Sequence, residues 1–233
     1  MLFRQLFDPE TSTYTYLVAD PVVKQAILVD PVLEQLDRDL QLLRELGLTL
    51  VCTLETHIHA DHVTSAAKLR EATNSQSIVP QEARIACADR FIDHEEELII
   101  GTHIGVKAIE TIGHTDSHMA YLINGTHLLT GDSLFIRGCG RTDFQSGDAG
   151  KMFDCVTERL FTLPDETLVY PGHDYRGHTV STIGEEKTLN PRFVGRDRAE
   201  FIDYMAHLNL PDPKKIMEAV PANQQCGRTT AIA

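Results

Sequence analysis

The segment that most constrains this chain is Thr56-His-Ile-His-Ala-Asp-His62. It places four metal-competent side chains (His57, His59, Asp61 and His62) directly after an apolar run. Three more candidates follow at wide intervals, each at the end of its own apolar run: His114 in Gly-His-Thr-Asp, Asp132 in Thr-Gly-Asp and His173 in Pro-Gly-His-Asp. Residues this far apart serve one metal only if several strands deliver their ends to a common edge, the usual place for sites on α/β scaffolds. Imidazole and carboxylate together suit zinc, iron or manganese, whereas clustered thiolates would indicate structural zinc or iron–sulfur.

The elements predicted along the chain fit that demand. Tyr14–Ala19 and Gln25–Asp30 read as strands, the second continuously apolar like a strand buried on both faces. Leucines at 33, 36, 40, 43 and 46 form a helical stripe that Gly47 stops. Residues 48–54 read as a strand leading into the histidine segment, and 61–73 as the helix after it. Residues 98–112 read as a strand or hairpin that delivers His114. Asn124-Gly125 marks a hairpin turn between strands at 120–123 and 128–129. Helices are expected at 152–161, 183–189, 197–208 and 214–219, with a strand at 168–170. The economical organisation is one domain over 1–233, with a short helical extension from about 181.

Composition excludes several classes. A formal charge of -13 argues against nucleic-acid binding, which needs a basic face. No run approaches the roughly 18 apolar residues of a membrane span, and no leader pattern precedes the first strand, so a cytoplasmic protein is expected. The five cysteines are scattered without a Cys-x-x-Cys pair and read as reduced thiols. Cys52, Cys87 and Cys155 fit small buried hydrophobes, and Cys226 an exposed tail residue. His94, His103, His127 and His207, and also His118 and His178 beside the motifs, are read as ordinary exposed or hydrogen-bonded histidines. Gly113, Gly131 and Gly172 precede the candidate ligands and permit tight turns.

In order and type, His57, His59, Asp61, His62, His114, Asp132 and His173 resemble the metal positions of the metallo-β-lactamase superfamily, across roughly residues 10 to 195. That resemblance implies an α/β fold, an αβ/βα sandwich of two mixed sheets flanked by helices. Gly131-Asp-Ser-Leu-Phe-Ile-Arg-Gly-Cys-Gly-Arg-Thr-Asp-Phe-Gln145, Gly113-His-Thr-Asp-Ser117 and the run from Tyr170 to Arg192 resemble the persulfide dioxygenases, relatives of glyoxalase II.

The resemblance implies one Fe(II) per chain, held by His57, His114 and Asp132. This is a facial triad with open positions for glutathione persulfide and O2. His59, Asp61, His62 and His173 then orient ligands and water by hydrogen bonding, whereas glyoxalase II uses those positions to complete a dinuclear site. Arg141, Tyr175 and Arg192 match positions lining the substrate channel, and Cys139 lies near it. No nucleic acid or membrane partner is implied, and homodimerisation stays open. The rival readings are a dinuclear zinc hydroxyacylglutathione hydrolase, disfavoured by the 137–145 stretch, and a non-catalytic persulfide sensor.

Overall fold

The computed structural model describes residues 1–208, 210 and 215–228, which form two compact units. The first comprises Met1–Ile92, Leu98–Ile104 and a C-terminal helical segment. Its sheet has the order β1-β2-β3-β4-β5-β6, formed by Leu2–Asp8, Thr13–Asp20, Gln25–Val29, Thr49–Leu54, Gln76–Pro80 and Arg90–Ile92. The first three strands are antiparallel neighbours, and β3 to β6 run parallel. All eight residues of β2 are buried, so the strand is covered on both faces.

Helices α1 (Leu36–Leu46) and α2 (Ala66–Thr73) cover one face of this sheet. Leu17, Ala19, Ala26, Leu28 and Leu50 of the strands pack with Leu43 and Leu69 of the helices. The leucine stripe at 33–46 is therefore core, although its first turn, Leu33–Gln35, is a tighter 3-10 turn. Gly47 ends α1 in the left-handed region (φ 62°), its N–H on the Leu43 and Arg44 carbonyls.

The second unit is built on β8 (Ile104–Glu110), β9 (Met119–Ile123), β10 (His127–Gly131), β11 (Leu168–Pro171) and β12 (Ser181–Thr182). The full sheet order is β12-β11-β10-β9-β8-β7, with β7 at Glu97–Ile100. Strands β10 and β11 pair in parallel; β8/β9, β9/β10 and β11/β12 are antiparallel. Helices α3 (Ala149–Cys155), α4 (Ile183–Leu189) and α5 (Arg198–Ala206) pack on it through Met152, Ile183, Phe201 and Met205. The last helix of the chain, α6 (Ile216–Asn223), belongs to the first unit.

Several expectations shift. The helix predicted over 61–73 starts only at Ala66, because the backbone of 63–65 is committed elsewhere. Val63 accepts from the Leu33 N–H, Ser65 donates to Pro31, and Thr64 donates to the Asn223 side chain. The helix expected at 152–161 begins at Ala149, capped by Asp148, and widens to a π turn over Val156–Leu160. Strands β1, β5 and β6 carry too little alternation or apolar content to stand out in sequence. Of the helix expected at 214–219, Lys214 lies outside the described residues, and the observed helix runs on through Pro221 to Asn223.

The thiol expectation is also corrected. Cys87 and Cys226, 139 positions apart, form a disulfide, and Cys226 is buried rather than exposed. Sequence spacing could not pair them, because the pairing depends on the C-terminal segment returning to the first unit. A cross-link closing so long a loop stabilises by about 2–4 kcal/mol, mainly through the unfolded chain.

Phe201 seats α5: it is fully buried and stacks on Phe193 with ring centroids 4.9 Å apart. Phe201→Ala is expected to cost about 3–5 kcal/mol of stability, read by denaturant titration followed by circular dichroism.

Candidate metal centre

In the first unit the site grows from two adjacent parallel strand ends. Val29 of β3 is in register with Leu54 of β4, so Asp30 and Thr56 emerge side by side. The buried Asp30 carboxylate accepts from the Thr56 N–H at 2.7 Å, the Thr56 hydroxyl at 2.8 Å and His59 Nε2 at 3.0 Å. Thr56 has thereby spent its only proton, so its Oγ1 accepts the Nδ1–H of His57 at 2.9 Å. The lone pair of His57 is left on Nε2. A carboxylate two links away thus sets the tautomer of a candidate ligand, as outer partners of metal-binding imidazoles generally do.

The same logic orders the neighbouring histidines. Nε2–H of His59 faces Asp30 and, at 3.4 Å, Glu55, which leaves its buried Nδ1 without a hydrogen bond. His62 Nδ1 pairs with Asp61 at 2.9 Å, and its buried Nε2 is likewise without a hydrogen bond. Thr13 donates to the same Asp61 oxygen at 3.0 Å. One ligand atom from each of His59, Asp61 and His62 lies within 4.8 Å of the others. Burial opposes protonation of His59, but Asp30, Glu55 and Asp61 outweigh it and hold its pKa well above the ordinary histidine value. Burial raises the pKa of Glu55 against the pull of His59.

The second unit repeats the strand-end device. Gly131 of β10 is in register with Pro171 of β11 beyond a bulge, and the Gly172 N–H bonds the Gly131 carbonyl at 2.8 Å. Asp132 and His173 therefore leave adjacent strand ends together, with His173 Nε2 3.5 Å from Asp132 Oδ1. A Cβ at Gly172 would sit 2.6 Å from Asp132 Oδ1, so only glycine lets the backbone pass the carboxylate. His114 Nδ1 donates to the Arg141 carbonyl at 2.7 Å, which turns Nε2 toward Asp132 Oδ2, 3.4 Å away. Gly140 makes that loop possible: its N–H bonds the Asp132 carbonyl at 2.8 Å, and a Cβ there would meet His114 Nδ1 at 2.9 Å.

This donor set fits a divalent cation. His114 Nε2 and Asp132 Oδ2 face each other at 3.4 Å, His173 Nε2 lies 3.5 Å from Oδ1, and the buried Oδ1 has no hydrogen bond. Leaving such groups unmatched in a buried site is costly, and a positive ion removes the cost. In the first unit His57, His59, Asp61 and His62 come together; in the second His114, Asp132 and His173 do.

The remaining candidates are placed in the second unit as follows. The Arg141 guanidinium forms a two-point ion pair with exposed Asp143, at 2.6 and 2.8 Å, and lies over the Phe144 ring. Tyr175 is 71% exposed and its ring stacks on His173. Arg192 contacts the Met205 sulfur and lies over Tyr204. Cys139 is buried, and burial pushes its thiol pKa up to about 12.

Two residues outside the sequence-level candidate set take part. Asp30 is one; its signal was the Asp-Pro step ending a continuously apolar strand. His118 is the other, read from sequence as ordinary. It is fully buried, its Nε2 accepts the Asp132 N–H at 2.9 Å, and its Nδ1 bonds Thr111. His94, His127 and His207 are occupied in local contacts, accepting from the Glu110 N–H, stacking on Tyr170 and bonding the Asp203 carbonyl respectively. His178 donates its backbone N–H to Asp174.

Two mixed sheets, each with helices on one face and with metal-type side chains at strand ends, define a metalloenzyme of the metallo-β-lactamase fold, and residues 8–173 match the metallo-beta-lactamase superfamily. The chain is 44% identical to human persulfide dioxygenase ETHE1, mitochondrial, over 100% of its own length and 91% of that protein. It is 33% identical to a hydroxyacylglutathione hydrolase of Polaromonas sp. over 80% of its length and 74% of the relative. The crystal structure of ETHE1 from Myxococcus xanthus is similar at TM-score 0.95 and 53% identity, covering 98% of this chain and 100% of that one. The chain belongs to the persulfide dioxygenase family of this superfamily.

Asp30→Asn tests the relay to His57. One oxygen becomes an NH2 group, which cannot accept from Thr56 or His59. Metal affinity is expected to fall about 10–100-fold, read by competition with a chelator, while circular dichroism stays unchanged.

Proposed function

We propose that the protein is a glutathione persulfide dioxygenase that holds one Fe(II) between His57, His114 and Asp132. The reaction is GSSH + O2 + H2O → GSH + sulfite + 2 H+. The observation that carries the reading is the 3.4 Å approach of His114 Nε2 to Asp132 Oδ2, with His173 on the other oxygen, in a chain of this family. Ferrous iron in a two-histidine, one-carboxylate set supplies open positions and an electron for dioxygen, which redox-inert zinc does not.

The protein's part is positioning and proton control. The Arg141 carbonyl keeps the His114 proton on Nδ1, and the Thr56–Asp30 relay keeps that of His57 on its own Nδ1. Both imidazoles are thereby turned to present Nε2 as the ligand atom. His118 fixes the Asp132 backbone, so the carboxylate is aimed before substrate arrives. His59, Asp61, His62 and His173 are read as orienting groups around the ligands rather than holders of a second iron.

Glutathione carries carboxylates, while the chain is acidic overall. Arg141 and Arg192 are read as its anchors, with Tyr175 at the rim beside His173 and Cys139 behind the channel wall. Arg141 suits the task because its present partner is a surface aspartate. The Arg141 side chain is largely buried and its partner Asp143 is exposed, so a substrate carboxylate could take the place of Asp143. No described helix is long and apolar enough to cross a membrane, and a cytoplasmic location is part of this reading.

A hydroxyacylglutathione hydrolase is the second reading, favoured by the His59, Asp61 and His62 cluster, in which His59 Nδ1 and His62 Nε2 are without a hydrogen bond and could serve a second zinc ion. Metal analysis of anaerobically purified protein, with an oxygen electrode, separates the two. One iron per chain and oxygen consumption with glutathione persulfide are expected. His114→Ala and Asp132→Ala should each lose both bound iron and oxygen uptake, with the fold intact by circular dichroism. Two zinc ions per active chain and oxygen-independent thioester hydrolysis would make it a hydrolase.

A further inference from the structure

We propose that the Cys87–Cys226 disulfide is a thiol-exchange site that controls how firmly the His57–His62 loop is held. The link runs through Asn223 and lies wholly within the first unit. At the end of α6, the buried Asn223 side chain accepts the Thr64 N–H at 2.8 Å and donates to the carbonyls of His59 at 2.9 Å and His62 at 2.8 Å. Three backbone groups of the histidine loop thus rest on one amide from the far end of the sequence. Three residues later Cys226 donates its N–H to the Asn223 carbonyl and accepts the Ala67 N–H at the start of α2. Its sulfur is bonded to Cys87.

Cys87 is itself anchored, its carbonyl accepting from Arg70 at 3.0 Å. The cross-link therefore ties the Asn223 segment to a fixed point. Cys226 and Asn223 also line a small cavity with Glu55, His57, His59 and Thr64, so the tie and the histidine loop share one wall.

The exchange is directional. Cys87 is partly exposed, whereas Cys226 is 3% exposed. A low-molecular-weight thiolate of the glutathione class attacks Cys87 Sγ; the Cys87–Cys226 bond breaks, and Cys226 leaves as thiolate and takes up a proton. A second thiol attacks the mixed disulfide on Cys87, releasing the external disulfide and the Cys87 thiol. In sum, one protein disulfide and two thiols give two protein thiols and one external disulfide. With the tie open, Asn223 holds the loop less tightly. The consequence for metal rests on the reading of His57 as an iron ligand; the consequence for the loop does not.

The test uses the full chain, iron-loaded and anaerobic, in three forms: oxidised, reduced with glutathione, and Cys87→Ser. Thiol titration with mass spectrometry follows the bond, hydrogen exchange follows the backbone amides of residues 59–66, and transfer to a chelator follows iron. On reduction two thiols should appear. Exchange at the Thr64 amide and iron release should then each speed up about tenfold or more, with Cys87→Ser behaving alike. Asn223→Ala should reproduce the effect in the oxidised protein, and reducing that variant should add little. Unchanged exchange after both thiols appear, or five free thiols in protein purified in air, overturns the proposal. Faster exchange with unchanged iron release supports the tie and overturns the metal role of the loop.

Discussion

A carboxylate buried away from water is tolerable only when its oxygens are matched, and in this protein the match at Asp30 organises the histidine loop of the first unit. Asp30 takes a backbone N–H, a hydroxyl and an imidazole N–H from the strand end beside it. Each bond removes a choice from a neighbour: Thr56 loses its proton, His57 is restricted to one tautomer, and His59 must turn Nδ1 away. A polar network of this kind is stable only when all its members agree, which is why the loop has one arrangement rather than several. The parallel pairing of β3 with β4 makes the agreement possible, because it places Asp30 and Thr56 level at the same edge.

The second unit solves the matching problem differently. Asp132 is buried like Asp30, but its Oδ1 has no hydrogen bond and both its oxygens face histidine nitrogens at 3.4–3.5 Å. The surroundings that could have satisfied it are used to aim it: His118 takes its N–H, Gly140 its carbonyl, and Gly172 clears space beside Oδ1. Such an arrangement is costly for an isolated protein and makes sense as a socket for positive charge. Asp30 has its partners within the protein, whereas Asp132 Oδ1 has no hydrogen bond.

That contrast also explains what could be read from sequence. The candidate ligands were legible because each ends an apolar run, and strand ends are where an α/β fold gathers chemistry. The α1 stripe and the Asn124-Gly125 hairpin were legible through periodicity and turn chemistry. Asp30 carried only a weak mark, an acid at the end of a buried strand, and its role depends on a neighbour 26 residues on. His118 looked ordinary because a histidine that accepts one backbone N–H has no local pattern. Asn223 and the Cys87–Cys226 pair were not legible at all, since both depend on the C-terminal helix returning to the first unit. Residues 61–65 read as helix because Val63, Ala66, Ala67 and Leu69 keep helical spacing, but long-range hydrogen bonds to that backbone override local preference.

Sulfur placement follows from the same accounting of burial. An enzyme handling persulfides meets reactive sulfur at every turnover, and any thiolate of its own would exchange with it. The three free cysteines are buried, and burial raises the thiol pKa of each, Cys52 and Cys139 to about 12. None is a thiolate at neutral pH. Cys139 can therefore shape an apolar wall beside Met205 without competing as a nucleophile. The one cysteine sulfur with partial access to solvent is that of Cys87, already bonded to Cys226. Exchange chemistry is confined to one point on the chain, three residues from the amide that holds the histidine loop.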